Sequence, residues 1–154
     1  MGKSGRHRII AVASAGGHWI QLGRLSEAFE DSDTLYVTTV ASETAPSGDR
    51  PVARISDASR NEPLRVVVAA LQLAWIMFRF RPDAVVTTGA APGYVALRLG
   101  KLLGCKTVWL DSIANAEEIS MSARLARPYA DLWLTQWQEL ARKTPGLQYW
   151  GQVL

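Results

Sequence analysis

One cysteine in 154 residues excludes an internal disulfide and any cysteine-based metal cluster. Cys105, between Gly104 and Lys106 at the start of an apolar run, reads as a small buried hydrophobe. No G-x-G-x-x-G passes through Gly16, Gly17 and Gly23, so the dinucleotide fingerprint is missing. No Gly-Lys-Ser/Thr follows them, which removes a Walker loop. Without a G-x-S-x-G elbow, a self-sufficient small hydrolase is disfavoured. Charge excess is scarce: the net charge is +3, unlike the dense basic face of a nucleic-acid binder. Arginine outnumbers lysine 13 to 4, which fits phosphate contacts or an anionic membrane surface, and equally a GC-rich genome. No apolar run reaches the roughly 20 residues of a spanning helix. Residues 1–8 are basic but lead into too few apolar residues for a signal peptide, so a cytoplasmic location is expected.

What is there is an apolar share of 48%, enough for a globular core. The length suits one domain over 1–154, with a basic leader over 1–7 and an exposed C-terminal tail over 145–154. Strands are predicted over 8–13, 34–40, 52–55, 84–88, 106–110 and 131–135. Helices are predicted over 19–29, 63–80, 92–103 and 117–125, with Gly104 capping the third. Residues 41–50 read as a mobile loop. This alternation predicts an α/β fold, a mostly parallel Rossmann-like sheet with helices on both faces. In such sheets ligands bind at the carboxyl ends of strands. The polar loops over 14–18, 88–93 and 111–118, together with Gln136, all follow strands and should gather along that edge.

Ser14-Ala15-Gly16-Gly17-His18 lies between an apolar strand and a helix. First-turn N–H groups lack partners and the helix dipole is positive there, so the turn favours an anion such as a phosphate or diphosphate. His18 adds a proton carrier or a cation, although a helix-capping role is equally open. The stretch 66–78 is apolar except at Gln72 and is flanked by Arg60, Arg65, Arg79 and Arg81. Its inner face should pack on the sheet. Trp75, Phe78 and the arginines suit a membrane interface on the outer side.

Four motifs in order carry a resemblance: Ser14-Ala15-Gly16-Gly17-His18; Thr87-Thr88-Gly89-Ala90-Ala91-Pro92-Gly93; Asp111-Ser112-Ile113-Ala114-Asn115 with Ile119-Ser120; and Leu134-Thr135-Gln136-Trp137. Over 9–151 the chain resembles the acceptor-side subunit of two-part UDP-sugar glycosyltransferases. The eukaryotic member anchors the enzyme adding the second N-acetylglucosamine to dolichol diphosphate; bacterial members serve capsule and exopolysaccharide assembly. The bacterial branch is the expected one, because the eukaryotic subunit usually begins with a spanning helix.

The resemblance implies the N-terminal, acceptor-binding half of a GT-B enzyme, inactive without a separate nucleotide-sugar-binding subunit. No metal or cofactor is expected. The acceptor would be a sugar on a polyprenyl diphosphate, met at the cytoplasmic face of the inner membrane. Ser14, Gly16 and Gly17 would hold its diphosphate or face the transferred sugar. His18 would be the general base or a diphosphate ligand. Gly89, Ala90 and Gly93 would let the acceptor approach backbone closely. Asp111 and Asn115 would bind sugar hydroxyls or steady their loop. Glu117 is an alternative base, or simply a charge in a helix's first turn. Gln136 and Trp137 are expected at the partner interface. A non-catalytic membrane scaffold and a self-sufficient small enzyme are the competing readings.

Overall fold

The computed structural model describes residues 5–40, 44–46, 49–58 and 61–153. The first residues of the basic leader, half of the loop over 41–50, and Arg60 lie outside the described residues. Seven strands form one sheet: β1 (Arg8–Ala13), β2 (Asp33–Thr38), β3 (Val52–Arg54), β4 (Ala84–Thr87), β5 (Lys106–Leu110), β6 (Leu132–Thr135) and β7 (Gln148–Tyr149). Their order is β3-β2-β1-β4-β5-β6-β7, and every pairing is parallel. The helices are α1 (Gly17–Arg24), α2 (Pro63–Phe80), α3 (Ala90–Leu102), α4 (Met121–Ala126) and α5 (Gln138–Lys143).

Strand alternation builds a core on each face. Ile10 and Val12 of β1 join Val37, Leu73, Leu97 and Trp109 in one cluster. Ala11 and Ala13 turn the other way, against Trp19, Leu22 and Tyr36. α2 begins with Pro63 in its first turn, where the missing N–H costs nothing, and ends at Arg81 in a left-handed conformation (φ 53°). Only Ala69, Leu73 and Met77, four residues apart, are buried along it. Leu64, Val67, Leu71, Trp75 and Phe78 stay exposed. The split into a packed inner stripe and an apolar outer side thus follows the expectation. The helix is also apolar and long enough, at 18 residues, to meet the composition of a membrane span. Its inner stripe nonetheless lies on the sheet, and Gln72 accepts a hydrogen bond from the Ser56 N–H at 2.7 Å.

Several boundaries depart from expectation. α1 stops at Arg24, and a 3₁₀ turn, Ser26–Phe29, completes the stretch. α3 starts at Ala90 rather than Pro92, since proline is tolerated among the unpaired first-turn N–H groups. α4 starts at Met121, not at 117, because the Ser120 hydroxyl caps it by accepting from the Ala123 N–H at 3.0 Å. Glu117 and Glu118 therefore lie in the preceding loop, outside the helix whose first turn they were expected to occupy. α5 and β7 were not expected. The segment expected as an exposed C-terminal tail is fastened to the sheet: β7 pairs with β6, and the Val153 N–H donates to Gln136 Oε1 at 2.8 Å.

Candidate functional site

From β1 the strand order runs outward one way through β2 and β3, and from β4 the other way through β5, β6 and β7; at such a switch point α/β sheets hold ligands in the crevice at the strands' carboxyl ends. The register pairs Val12 with Thr87, so the turns after both strands face one another. After β1, Gly16 takes a left-handed φ of 75° and leads into α1 with no side-chain cap and no acidic residue in the first turn. Residues 15–17 are exposed, and no atom lies within 4 Å of where a Cβ at Gly16 or Gly17 would stand. The turn therefore presents bare backbone to the crevice, with Ser14 half-buried at its start.

After β4, Gly89 has φ 126° and Ala90 φ 64°, a strained pair heading α3, which also lacks a side-chain cap and a first-turn acid. Here the two turns interlock. His18 Nδ1 lies 2.8 Å from the Thr88 carbonyl, and the Thr88 hydroxyl donates to the His18 carbonyl at 2.6 Å. A carbonyl only accepts, so Nδ1 carries the hydrogen. In the neutral ring this leaves the lone pair on Nε2, the nitrogen not held by Thr88. A Cβ at Gly89 would stand 2.9 Å from His18 Cε1, so the glycine makes room for the ring. His18, Gly16, Gly17, Gly89 and Ala90 thus lie together where the turns after β1 and β4 meet.

Gly93 does not join them. It is buried, and a Cβ there would stand 2.2 Å from Thr87 Oγ1. Its missing side chain serves helix-on-strand packing and not the approach of an acceptor. Asp111 is 1% exposed and spends its carboxylate inside the loop. It accepts from the Ser120 hydroxyl at 2.7 Å, the Ser120 N–H at 2.9 Å and Asn115 Nδ2 at 3.2 Å. Of the two roles left open for Asp111 and Asn115, steadying the loop is the one this geometry serves. Glu117 is exposed and lines a different cavity of about 360 Å³ with Arg124, Arg127 and Lys143.

Gln136 is fully buried, so its side chain offers no surface to a partner, contrary to expectation. Its amide donates to Gln21 Oε1 at 2.7 Å and to the Asp111 carbonyl at 3.0 Å. Trp137 is half-buried, with its indole N–H on the Ile113 carbonyl at 2.8 Å. Gln21 went unnoticed in the sequence. It is 5% exposed, three residues beyond His18 on the same helix, and it also binds the Ser112 hydroxyl and the Ile113 N–H. A polar residue on the inner face of an amphipathic helix was the available signal.

The α2 residues expected at a membrane lie on the other side of the molecule's core stripe. Trp75 stacks on Phe78, with ring centroids 6.3 Å apart, and the Arg79 guanidinium sits 5.7 Å from the Trp75 centroid. Arg65 is exposed and pairs with Glu62, and Arg81 ends the helix.

Residues 50–153 match the profile of the family described as "Oligosaccharide biosynthesis protein Alg14 like". The human UDP-N-acetylglucosamine transferase subunit ALG14 is 27% identical over 179 residues, covering 95% of this chain and 82% of the human protein. The subunit of the same name from Yarrowia lipolytica is 22% identical, over 97% of this chain and 82% of that protein. The capsule and exopolysaccharide branch of the expectation finds no support in these relatives. Among solved structures, Acinetobacter baumannii MurG superposes with a TM-score of 0.70 at 13% identity, over 87% of this chain and 43% of MurG. A glycosyltransferase from Rickettsia africae gives 0.65 at 13% identity, over 96% and 43%. The chain therefore has the Rossmann-like fold of one GT-B half and spans under half the length of those enzymes.

Proposed function

The chain belongs to the Alg14-like family of oligosaccharide biosynthesis proteins, and from that premise we propose that it is the acceptor-binding half of a two-subunit UDP-sugar glycosyltransferase. A separate polypeptide brings the nucleotide sugar. The names of the relatives as transferase subunits and the half-enzyme fold support this division. The acceptor is a sugar on a polyprenyl diphosphate. Ser14, Gly16 and Gly17 and the heads of α1 and α3 hold its anionic part, where uncapped N–H groups and two helix dipoles favour negative charge.

The observation that carries the reading is the His18–Thr88 bond at the crevice, which holds the ring so that Nε2 bears the free lone pair. His18 is the general base. The acceptor hydroxyl attacks the anomeric carbon of the donor sugar, its proton passes to Nε2, and the bond to the UDP oxygen breaks, releasing UDP. The outer side of α2, through Trp75, Phe78, Arg65, Arg79 and Arg81, rests on the cytoplasmic surface of the membrane that carries the acceptor. Trp137 contacts the nucleotide-sugar subunit.

The test is transfer from UDP-N-acetylglucosamine to lipid-linked acceptor by membranes carrying this chain, the nucleotide-sugar subunit, or both. Transfer is expected only with both, and His18→Ala should lower it by about 100-fold or more with complex formation retained. Turnover by the lone chain would overturn the half-enzyme reading. A loss under about threefold would remove His18 as base and leave a scaffold role.

A further inference from the structure

A second concave feature opens beside the crevice. α2, α3 and α4 enclose a groove of about 470 Å³. Val66 and Val67 form one wall, Ala91 and Val95 the floor, and Leu125 the other wall; no lining residue carries a charge. The volume lies in the range of small-molecule sites, about 300–1,000 Å³. We propose that this groove seats the first isoprene units of the acceptor's lipid chain. The proposal rests on the acceptor reading above and names where the apolar part of that substrate goes.

Two observations select this occupant. Ala91 on the groove's floor directly follows the Gly89–Ala90 turn against His18. A molecule whose anionic head and apolar tail are covalently adjacent needs a polar and an apolar seat in that order, and the head of α3 provides both. The wall residues Val67 and Leu125 are 55% and 49% exposed, and Leu64 and Met121, next in sequence to the lining residues Pro63 and Ser122, are exposed apolar side chains at 80% and 59%. The groove is therefore continuous with an apolar surface and is not a closed cavity.

The experiment uses the complex of both subunits in mixed micelles at constant detergent. The acceptors are N-acetylglucosaminyl diphosphates with lipid chains from geranyl to undecaprenyl. KM should fall by about tenfold or more as the chain lengthens and then level off once the groove is full, since each buried methylene is worth roughly fourfold in affinity. Val67→Trp, which fills the groove with apolar volume, should cut that chain-length advantage below about twofold, and Leu125→Trp from the opposite wall should do the same. Both variants should retain binding to anionic vesicles, because the groove and not general surface hydrophobicity is lost. A KM independent of chain length in the unaltered complex would overturn the groove while leaving the acceptor reading intact. No transfer to any acceptor would instead defeat the acceptor reading. Loss of complex formation in Val67→Trp would give the groove to the partner protein and overturn the proposal.

Discussion

Gly93 shows how one residue's absence of volume sets a site's shape. Replacing glycine by alanine inside a helix ordinarily gains about 1 kcal/mol from backbone entropy. At Gly93 the new methyl would stand 2.2 Å from Thr87 Oγ1, which donates to the Val12 carbonyl at 2.8 Å and accepts from the Gly89 N–H at 3.1 Å. Overpacking of this kind costs about 1–3 kcal/mol, so the clash wins. Gly93→Ala is expected to lower Tm by several degrees, at about 2–4 °C per kcal/mol for a chain of this size. A Tm unchanged or raised in differential scanning calorimetry would show that α3 shifts freely on β4. The exposed turn over Gly16, Gly17 and His18 was legible because strand, glycines and helix are adjacent in the chain. The role of Gly93 was not, since it depends on Thr87 lying beneath it.

At the scale of elements, α2 presents the clearest demand for something beyond the chain. Its buried stripe is three of 18 residues, and Trp75 and Phe78 are 61% and 63% exposed. Single exposed apolar residues are ordinary, but a continuous apolar side bordered by arginines marks an interaction surface. Sedimentation with anionic vesicles at low salt is expected to carry the chain down, with binding that weakens as salt rises. Trp75→Ser with Phe78→Ser should reduce that partitioning by about tenfold or more and leave Tm nearly unchanged, because neither side chain contributes to the core. Failure of the unaltered chain to bind such vesicles would remove the membrane contact. The helix itself was readable over its whole length from Pro63 and the apolar run. α4 was misplaced by four residues because its start depends on Ser120, which Asp111 holds through contacts that no local pattern reveals.

The whole molecule is stabilised across its sheet by bonds that titrate. Asp131 precedes β6 and pairs with Lys101 at the end of α3, while its other oxygen accepts from the Thr107 N–H at 2.9 Å. The hydrogen bond from Lys101 is the largest cause holding the Asp131 carboxyl below the usual carboxylate range; burial opposes it, and the hydrogen bonds from Thr107 add to the lowering. A carboxylate whose pKa is lower in the folded chain contributes stability that is fully present above its unfolded value, about 3.9. That contribution is lost as pH falls through the lower folded value. The unaltered chain should therefore exceed Asp131→Asn in unfolding free energy by a constant margin above about pH 5, and the margin should shrink below about pH 4. Urea titrations at several pH values measure it, and a margin independent of pH would detach Asp131 from this role.

Periodicity determined the order of the first six strands and four helices, the parallel α/β class and the side of α2 that packs inward, because apolar spacing is a local property that each segment carries by itself. Tertiary structure decided what the site residues do. His18 and Thr88 are 70 positions apart, and Gln21 and Gln136 are 115 apart. Their hydrogen bonds exist only because β1 lies beside β4 and the loop after β5 folds over α1. The same assembly buries Gln136, turns Asp111 onto its own loop and fastens the C-terminal segment as a seventh strand. Long-range pairing depends on closing the sheet, so those roles were set by where the strands lie and not by the residues that flank each position.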